Sequence, residues 1–420
     1  MTTDAYDVID VAERAWNGDD TAGLTGVGEV ADGIHFLHNY EMANVVAHLG
    51  TAGLSLVDAG SIGAERRLFE SCRRLTSDPL HTVVYTHGHL DHVGGVGPFD
   101  EAAASSGIGR PRVVAHEAVV ARFDRYLSTA GYNTAVNRRQ WSQRGFVMPT
   151  SYRYPDETYR DEVELDLGER VVLRHGRGET DDHTWVHLPE RGVLCTGDFF
   201  IWVFPNAGNP QKAARYASEW ATALRAMAAV EASVLLPGHG QPIFGVDRIR
   251  EALTTTAAAL EELHERTIAA MNAGCTLDEV VREVRIADER LSAPYLRQIY
   301  DDQEFIVRNV WRLFGGWYDG DIAHLRPSPA GALAAELAAL AGGVDVLLRR
   351  AEELGAAGDL RLAGHLVELA HHAAPDDSAV HEARATLNEA RAEADPSFMA
   401  RGLFAAAAVD SRSQTIGTHA

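Results

Sequence analysis

The sequence predicts an α/β domain of strands layered with helices, followed by an all-α domain. Three observations carry this reading. Up to about Gly245 short β-rich runs alternate with helical stretches. Beyond about Val246 the strand-like runs stop, and alanine, leucine and glutamate dominate with helical periodicity. Histidines and acidic residues recur where the β-rich runs end.

In chain order, Asn44 to His48, Leu54 to Val57 and Thr82 to Tyr85 are β-branched or apolar runs of strand length, and Gly63 to Leu75 reads as a helix. From Lys212 to Ala232, residues Tyr216, Trp220, Leu224 and Met227 fall three or four apart, which is one face of an amphipathic helix. The first domain is expected to span 1–245 and the helical one 246–410, with 411–420 a disordered tail. Pro327-Ser-Pro329 and Ala341-Gly-Gly343 break the helical part, and Gly355, Gly358 and Pro375 mark later turns between short antiparallel helices.

With 420 residues, 46% hydrophobic and 23% charged, the chain can bury a sizeable core. A formal charge of -22 argues against nucleic acid as a partner, because phosphate binding draws on basic side chains. It leaves room for an anionic small-molecule substrate, since bound dications can make a positive pocket in an acidic protein. No stretch approaches the ~20 apolar residues of a membrane span, the Met1 to Asp7 start has no leader pattern, and Cys72, Cys195 and Cys275 lack paired spacing. A cytoplasmic protein without membrane attachment is expected.

The chemistry concentrates in Thr86-His87-Gly88-His89-Leu90-Asp91-His92, three imidazoles and a carboxylate directly after a strand. In extended chain, residues two apart share a side, so His87 and His89 can grip one ion while a turn at Asp91 sends Asp91 and His92 toward a second. Three later strand ends offer further donors: His175-Gly-Arg-Gly178-Glu179-Thr-Asp181-Asp182-His183, then Gly197-Asp198, then Gly238-His239.

This combination resembles the metallo-β-lactamase superfamily over roughly residues 25 to 245. The resemblance implies a four-layer αβ/βα sandwich holding two divalent metal ions. His87, His89 and a residue of the Gly178 loop would hold one, Asp91, His92 and His239 the other, and Asp198 would bridge. Most members carry histidine after the glycine of the third motif, whereas Glu179 stands here. A glutamate in that loop is a feature of the zinc-dependent alkyl sulfatases, although their loop reads Gly-Thr-Glu. Glu179 is therefore the expected third ligand, with Asp181, Asp182 and His183 as competitors expected in an outer, orienting role. Zinc is the expected metal, and the added oxygen donor also admits manganese or iron.

The sulfatase resemblance extends further. Ala43-Asn44 with Gly50 to Gly53 and Val57-Asp58, and Gly131-Tyr-Asn133 through Arg138-Arg139, resemble family stretches. Val307-Arg308-Asn-Val-Trp-Arg-Leu-Phe-Gly315-Gly-Trp317-Tyr-Asp319-Gly320 is similar to the Gly-Trp-Phe-Asp-Gly segment of the alkyl sulfatase dimerisation domain. A homodimer follows as an expectation, with the Phe305 to Trp317 aromatics at the interface or in the helical core. The resemblance stops before the family's sterol-carrier-like C-terminal domain, so a protein without it is expected, and the family's histidine- and asparagine-rich segment after the bridging carboxylate has no counterpart between Phe199 and Lys212. In its place Asn206, Asn209, Lys212 and Arg215 could bind an oxyanion, support the ligands from an outer layer or lie in a surface loop, and Trp202 with Phe204 could line a pocket or fill the core. The implied activity is hydrolysis of alkyl sulfate esters to alcohol and sulfate by metal-activated water, with Asp91, Asp198 or His92 handling the proton. The rival is another substrate on the same metals: a lactone, carboxylic ester, thioester, phosphoester or β-lactam. A non-catalytic binding protein is the weaker alternative.

Overall fold

The computed structural model describes residues 27–40 and 42–417. The N-terminal stretch read for a leader, and the last three residues of the expected tail, lie outside them. Among the described residues thirteen strands form two sheets. The first runs in the order β1 (Val27–Ala31), β2 (Ile34–Tyr40), β3 (Ala43–Gly50), β4 (Gly53–Val57), β5 (Leu80–Val84), β6 (Arg112–His116) and β7 (Glu157–Tyr159). It is antiparallel as far as β4 and parallel from β4 to β7. The second has the order β13 (Ile243–Phe244), β12 (Val234–Pro237), β11 (Val193–Gly197), β10 (Thr184–Leu188), β9 (Arg170–His175) and β8 (Glu162–Asp166), with only β11 and β12 parallel.

Period-two alternation explains why these runs are strands buried on both faces. In β5 and just beyond it, Val83 and Tyr85 point to one side and Val84 to the other. Val83 and Tyr85 pack with Leu54, Leu56, Val113 and Ala115 beneath Leu68 and Cys72 of α1 (Glu65–Leu75), Phe99 of α2 (Gly97–Ser105) and Phe123 of α3 (Ala118–Ser128). Val84 joins Ile34, Phe36, Val46 and Val114, and these meet Leu173, Val186, Val193 and Leu236 of the second sheet. That second cluster is the core between the sheets. Over the outer side of the second sheet lie α5 (Ala217–Ala228) and α6 (Val246–Asn272), the latter packing on β12 and β13. Trp220, Leu224 and Met227 of α5 are fully buried, the face their spacing predicted. The result is the four-layer αβ/βα sandwich.

The chain divides into two compact units, the first comprising 1–130, 149–274 and 279–314, the second 131–148, 275–278 and 315–420. The break therefore falls later than the change of composition at residue 245. α6, α7 (Leu277–Glu283), α8 (Asp288–Leu291) and α9 (Gln303–Phe314) are helical, yet most of their residues belong to the unit that holds the strands; composition reports the secondary structure and not the unit a helix joins. Conversely, α4 (Ala130–Trp141) lies almost wholly in the second unit.

The second unit is all helical: α10 (Ile322–Leu325), α11 (Ala330–Ala341), α12 (Val344–Ala356), α13 (Leu360–Ala373), α14 (Ser378–Ala394) and α15 (Phe398–Gly417). The breaks fall at the sequence's turn signals. Gly342 and Gly343 take positive φ between α11 and α12. Asp359 and Asp377 cap α13 and α14 by accepting backbone N–H bonds from Leu362 and from Ala379 and Val380. Ala338, Leu347, Ala370 and Val380 form its core. The segment expected to be a disordered tail continues α15 to Gly417. Among the described residues no single helix is long and apolar enough to cross a membrane.

Candidate metal centre

The donors sit where strands end. β5 runs into the His87 to His92 turn, the β9–β10 hairpin carries Glu179, Asp198 follows β11, and His239 follows β12. Because β4 and β5 are parallel, and β11 and β12 likewise, their C-terminal ends open on one rim. A backbone bond from Thr184 N to Thr86 O, 2.6 Å, ties the two sheets' loops together there.

All seven donors expected from the sequence come together in two groups. One donor atom from each of His87, His89, Glu179 and Asp198 lies within 4.8 Å of the others, and the same holds for Asp91, His92 and His239. Asp198 faces both groups: Oδ1 is 3.3 Å from His92 Nε2 and from His239 Nε2, while Oδ2 is 3.7 Å from His87 Nε2. Asp91 Oδ2 stands 3.7 Å from His92 Nε2 and 3.6 Å from His239 Nε2. Gly238 makes this approach possible, since a Cβ there would lie 2.1 Å from Asp198 Oδ1.

These residues fit a pair of cations. His92 Nε2, Glu179 Oε2 and Asp198 Oδ1 are buried without a hydrogen-bond partner, a costly condition that a cation relieves. Burial, reinforced at His87 by His183 and at His89 by Arg122, keeps both imidazoles well below their ordinary pKa and so neutral, the form that ligates. Burial opposes the charge of Asp198, but His239 and His92 outweigh it and hold the carboxyl well below the usual carboxylate range.

An outer layer of hydrogen bonds aims the donors. Asp58, which follows β4 at φ 62°, accepts from His92 Nδ1 at 2.7 Å, from Thr86 N at 2.7 Å and from Thr86 Oγ1 at 2.9 Å. His239 Nδ1 donates to Met42 O at 2.7 Å. In both histidines the outer nitrogen is committed to this bond, so Nε2 is the nitrogen that would ligate once a cation displaces its proton. Asn44 Nδ2 donates to Pro237 O and Gly240 O, bracing the turn that bears His239. Asp182 accepts from Gly88 N at 3.1 Å, between the two histidines, and from Arg122 Nε at 2.6 Å; Arg122 also pairs with Asp181. His183 stacks on His87 with ring centroids 4.2 Å apart. Burial pushes it down to about 3, so its Nε2 is free of a proton and accepts from Asp198 N at 3.1 Å.

The loop after Asp198 brings Asn206 Nδ2 and Arg215 Nη1 onto Glu179 Oε1, and Arg215 also donates to Glu179 O at 3.1 Å. Oε1 is thus occupied while Oε2 faces His89 Nδ1 at 3.9 Å. Burial and Asp198 push Glu179 up to about 7 against the pull of Arg215. Half-buried Lys212 is driven down to about 8 by burial and by Arg215, and feels Glu179 and Asp91. Asn209 does not reach the donors through its side-chain oxygen, which closes a turn by accepting from Gln211 N. Trp202 and Phe204 are core residues, with Trp202 Nε1 bonded to Gln241 O.

Sequence reasoning missed Asp58, Asn44, Arg122 and Tyr300 as parts of this site. Arg122 did leave a signal: it lies on one helix face with Val119, Phe123 and Tyr126, and an arginine on an apolar face requires a buried partner. Asp58 ends a strand as Asp198 does. Tyr300, whose hydroxyl is pushed well above its ordinary pKa by burial, then by Glu179 and Asp91, left none.

Comparison with known proteins places residues 42–239 in a match to the Metallo-beta-lactamase superfamily and residues 276–414 in a match to Alkyl sulfatase dimerisation. Among curated relatives, a linear primary-alkylsulfatase of Pseudomonas sp. is 28% identical over 79% of this chain and 67% of its own length. An (R)-specific secondary-alkylsulfatase of Pseudomonas sp. is 27% identical over 91% of this chain. The chain spans about two thirds of the length of the first and 61% of the second. Among solved structures, the stereoselective inverting sec-alkylsulfatase Pisa1 from Pseudomonas sp. superimposes with a TM-score of 0.83 at 23% identity, covering 96% of this chain and 70% of that one; the likeness is one of fold.

Proposed function

In a chain that joins a metallo-β-lactamase superfamily domain to an alkyl sulfatase dimerisation domain, we propose metal-dependent hydrolysis of alkyl sulfate esters to alcohol and sulfate. The observation that carries this is the convergence of seven donors, three of their buried atoms lacking a hydrogen-bond partner, beside the cationic side chains of Arg215 and Lys212. His87, His89 and Glu179 would hold one divalent ion and Asp91, His92 and His239 the other, with Asp198 shared. Two imidazoles with carboxylate oxygen at each position suit zinc and also admit manganese or iron. Ions bound there supply Lewis acidity to the ester and make water acidic enough to react near neutrality.

The chain's own residues then have distinct tasks. Asp58 and Met42 O keep the two Nε2 atoms pointed inward. Asp91, the more exposed of the central carboxylates, is positioned to take the proton from the attacking water. Lys212 offers a positive charge to the sulfate group at the mouth of the centre. Arg215 and Asn206 act on Glu179 and so reach the substrate only indirectly. We further propose that the region matching the dimerisation family pairs two copies of the chain.

The test is sulfate release from medium-chain primary and secondary alkyl sulfates by metal-loaded protein, with lactone and carboxylic ester controls. Release is expected from the wild type, to vanish in His89→Ala and to show a raised KM in Lys212→Ala. Turnover of the carboxylic substrates alone would retain the metal centre and discard the sulfate ester as substrate.

A further inference from the structure

The loop that presents Asn206 and Arg215 to Glu179 is fastened from outside the centre by the segment from Arg297 to Asn309. Phe204 N donates to Arg297 O at 3.0 Å, and Gly208 N donates to Asp301 Oδ2 at 2.6 Å. Gly208 presses on α9 so closely that a Cβ would lie 2.2 Å from Ile306 N. One turn further along α9, Asn309 brackets the Arg215 backbone: Oδ1 accepts from Arg215 N at 3.1 Å and Nδ2 donates to Arg215 O at 2.8 Å. Both residues are 3% exposed, so neither bond competes with bulk water.

We propose that Asn309 is a positioning residue of the metal centre, acting through Arg215 to hold Glu179 Oε1 and thereby keep Oε2 turned toward His89. A buried carboxylate with both oxygens free could swing; here one oxygen is claimed by Arg215 and Asn206. The chain of contacts from Asn309 leads to Glu179, in the His87 and His89 group, and its direction distinguishes positioning from general support of the fold. The inference rests on reading Glu179 as a ligand. It does not depend on which ester is cleaved.

Removing outer partners of metal ligands typically weakens binding about 10- to 100-fold. In the full-length protein, Asn309→Ala should therefore weaken one of two zinc dissociation constants, read by competition with a chromogenic chelator, by about tenfold. The other constant should stay within about twofold of the wild type, and the visible bands of the cobalt-loaded protein should change for one ion. Asn309→Asp, which keeps the acceptor for Arg215 N, should recover part of the loss. Val310→Ala, equally buried on the same helix, should lower the melting temperature and leave both constants unchanged. Unchanged constants in Asn309→Ala, or equal weakening of both ions in Asn309→Ala and Val310→Ala, would overturn the proposal. If Asn309→Ala does not fold, the nearly isosteric Asn309→Asp decides: one weakened constant supports the proposal, two unchanged ones overturn it. No substrate enters these measurements, so two-ion binding without sulfate release would refute the sulfatase reading and leave Asn309 in its role.

Discussion

Replacing Gly238 with alanine asks whether Asp198 must stand where it does. The new Cβ would lie 2.1 Å from Asp198 Oδ1, 2.8 Å from Gly197 C and 3.0 Å from Asp198 N. The backbone there cannot easily retreat, because Gly238 N is bonded to Gly197 O at 2.9 Å and Asp198 N to His183 Nε2 at 3.1 Å. The carboxylate must then move by at least about 1.3 Å to reach ordinary contact distance. That oxygen is 3.3 Å from both His92 Nε2 and His239 Nε2, so the shift breaks its relation to the second donor group. Overpacking of this kind costs about 1–3 kcal/mol of stability, and misplacement by ~1 Å at a reacting centre can cost on the order of 100-fold in rate. Metal content by elemental analysis, thermal melting and kcat on an alkyl sulfate together read the outcome. A Gly238→Ala protein with full metal content and kcat within about twofold of the wild type would refute the reasoning.

Asp58→Ala removes the acceptor of three buried hydrogen bonds and places alanine at φ 62°; a loss of about 3–5 kcal/mol in chemical denaturation is expected, and a change under 1 kcal/mol would show that His92 is held otherwise. Burial raises Asp301 to about 7, so between about 4 and 7 it is protonated in the folded chain and ionised in the unfolded one. Folding then takes up a proton, and this contribution to stability is lost as pH rises through about 7. Denaturation midpoints against pH should show that fall in the wild type and a flatter profile in Asp301→Asn; parallel profiles would discard it. Carboxylates raise His239 to about 9 despite its burial, so a cation must displace a proton there at pH 7. Metal affinity should accordingly weaken as pH falls from 9 to 6, and calorimetry in buffers of different ionisation enthalpy should register the released proton.

Much of the donor set was legible because metal chemistry restricts both residue type and spacing. His87, His89, Asp91 and His92 crowd into one turn, and Asp198 and His239 each follow a glycine at a strand end. The strands were legible from runs such as Thr82 to Tyr85, whose successive side chains serve two different cores. What stayed hidden depends on contacts between distant segments. Asn309 meets Arg215 across 94 positions, and Asn44 meets Pro237 across 193; neither has a local pattern that sets it apart from an ordinary asparagine. The same limit explains the unit boundary. A helical period in α6 or α9 states that one face is apolar, and it is silent on whether that face meets a sheet or another helix. The roles suggested for Asn206 and Arg215 were left between substrate and ligand support, and only their approach to Glu179 distinguishes the two.

The most direct test of the proposed chemistry follows sulfate release from a medium-chain alkyl sulfate as metal is added back to chelator-stripped protein. Turnover should start from zero and rise until two equivalents of zinc have been added per chain, with His89→Ala flat throughout. Sulfate release by the stripped protein, or full metal loading with no release at all, would contradict a metal-dependent sulfate ester hydrolase.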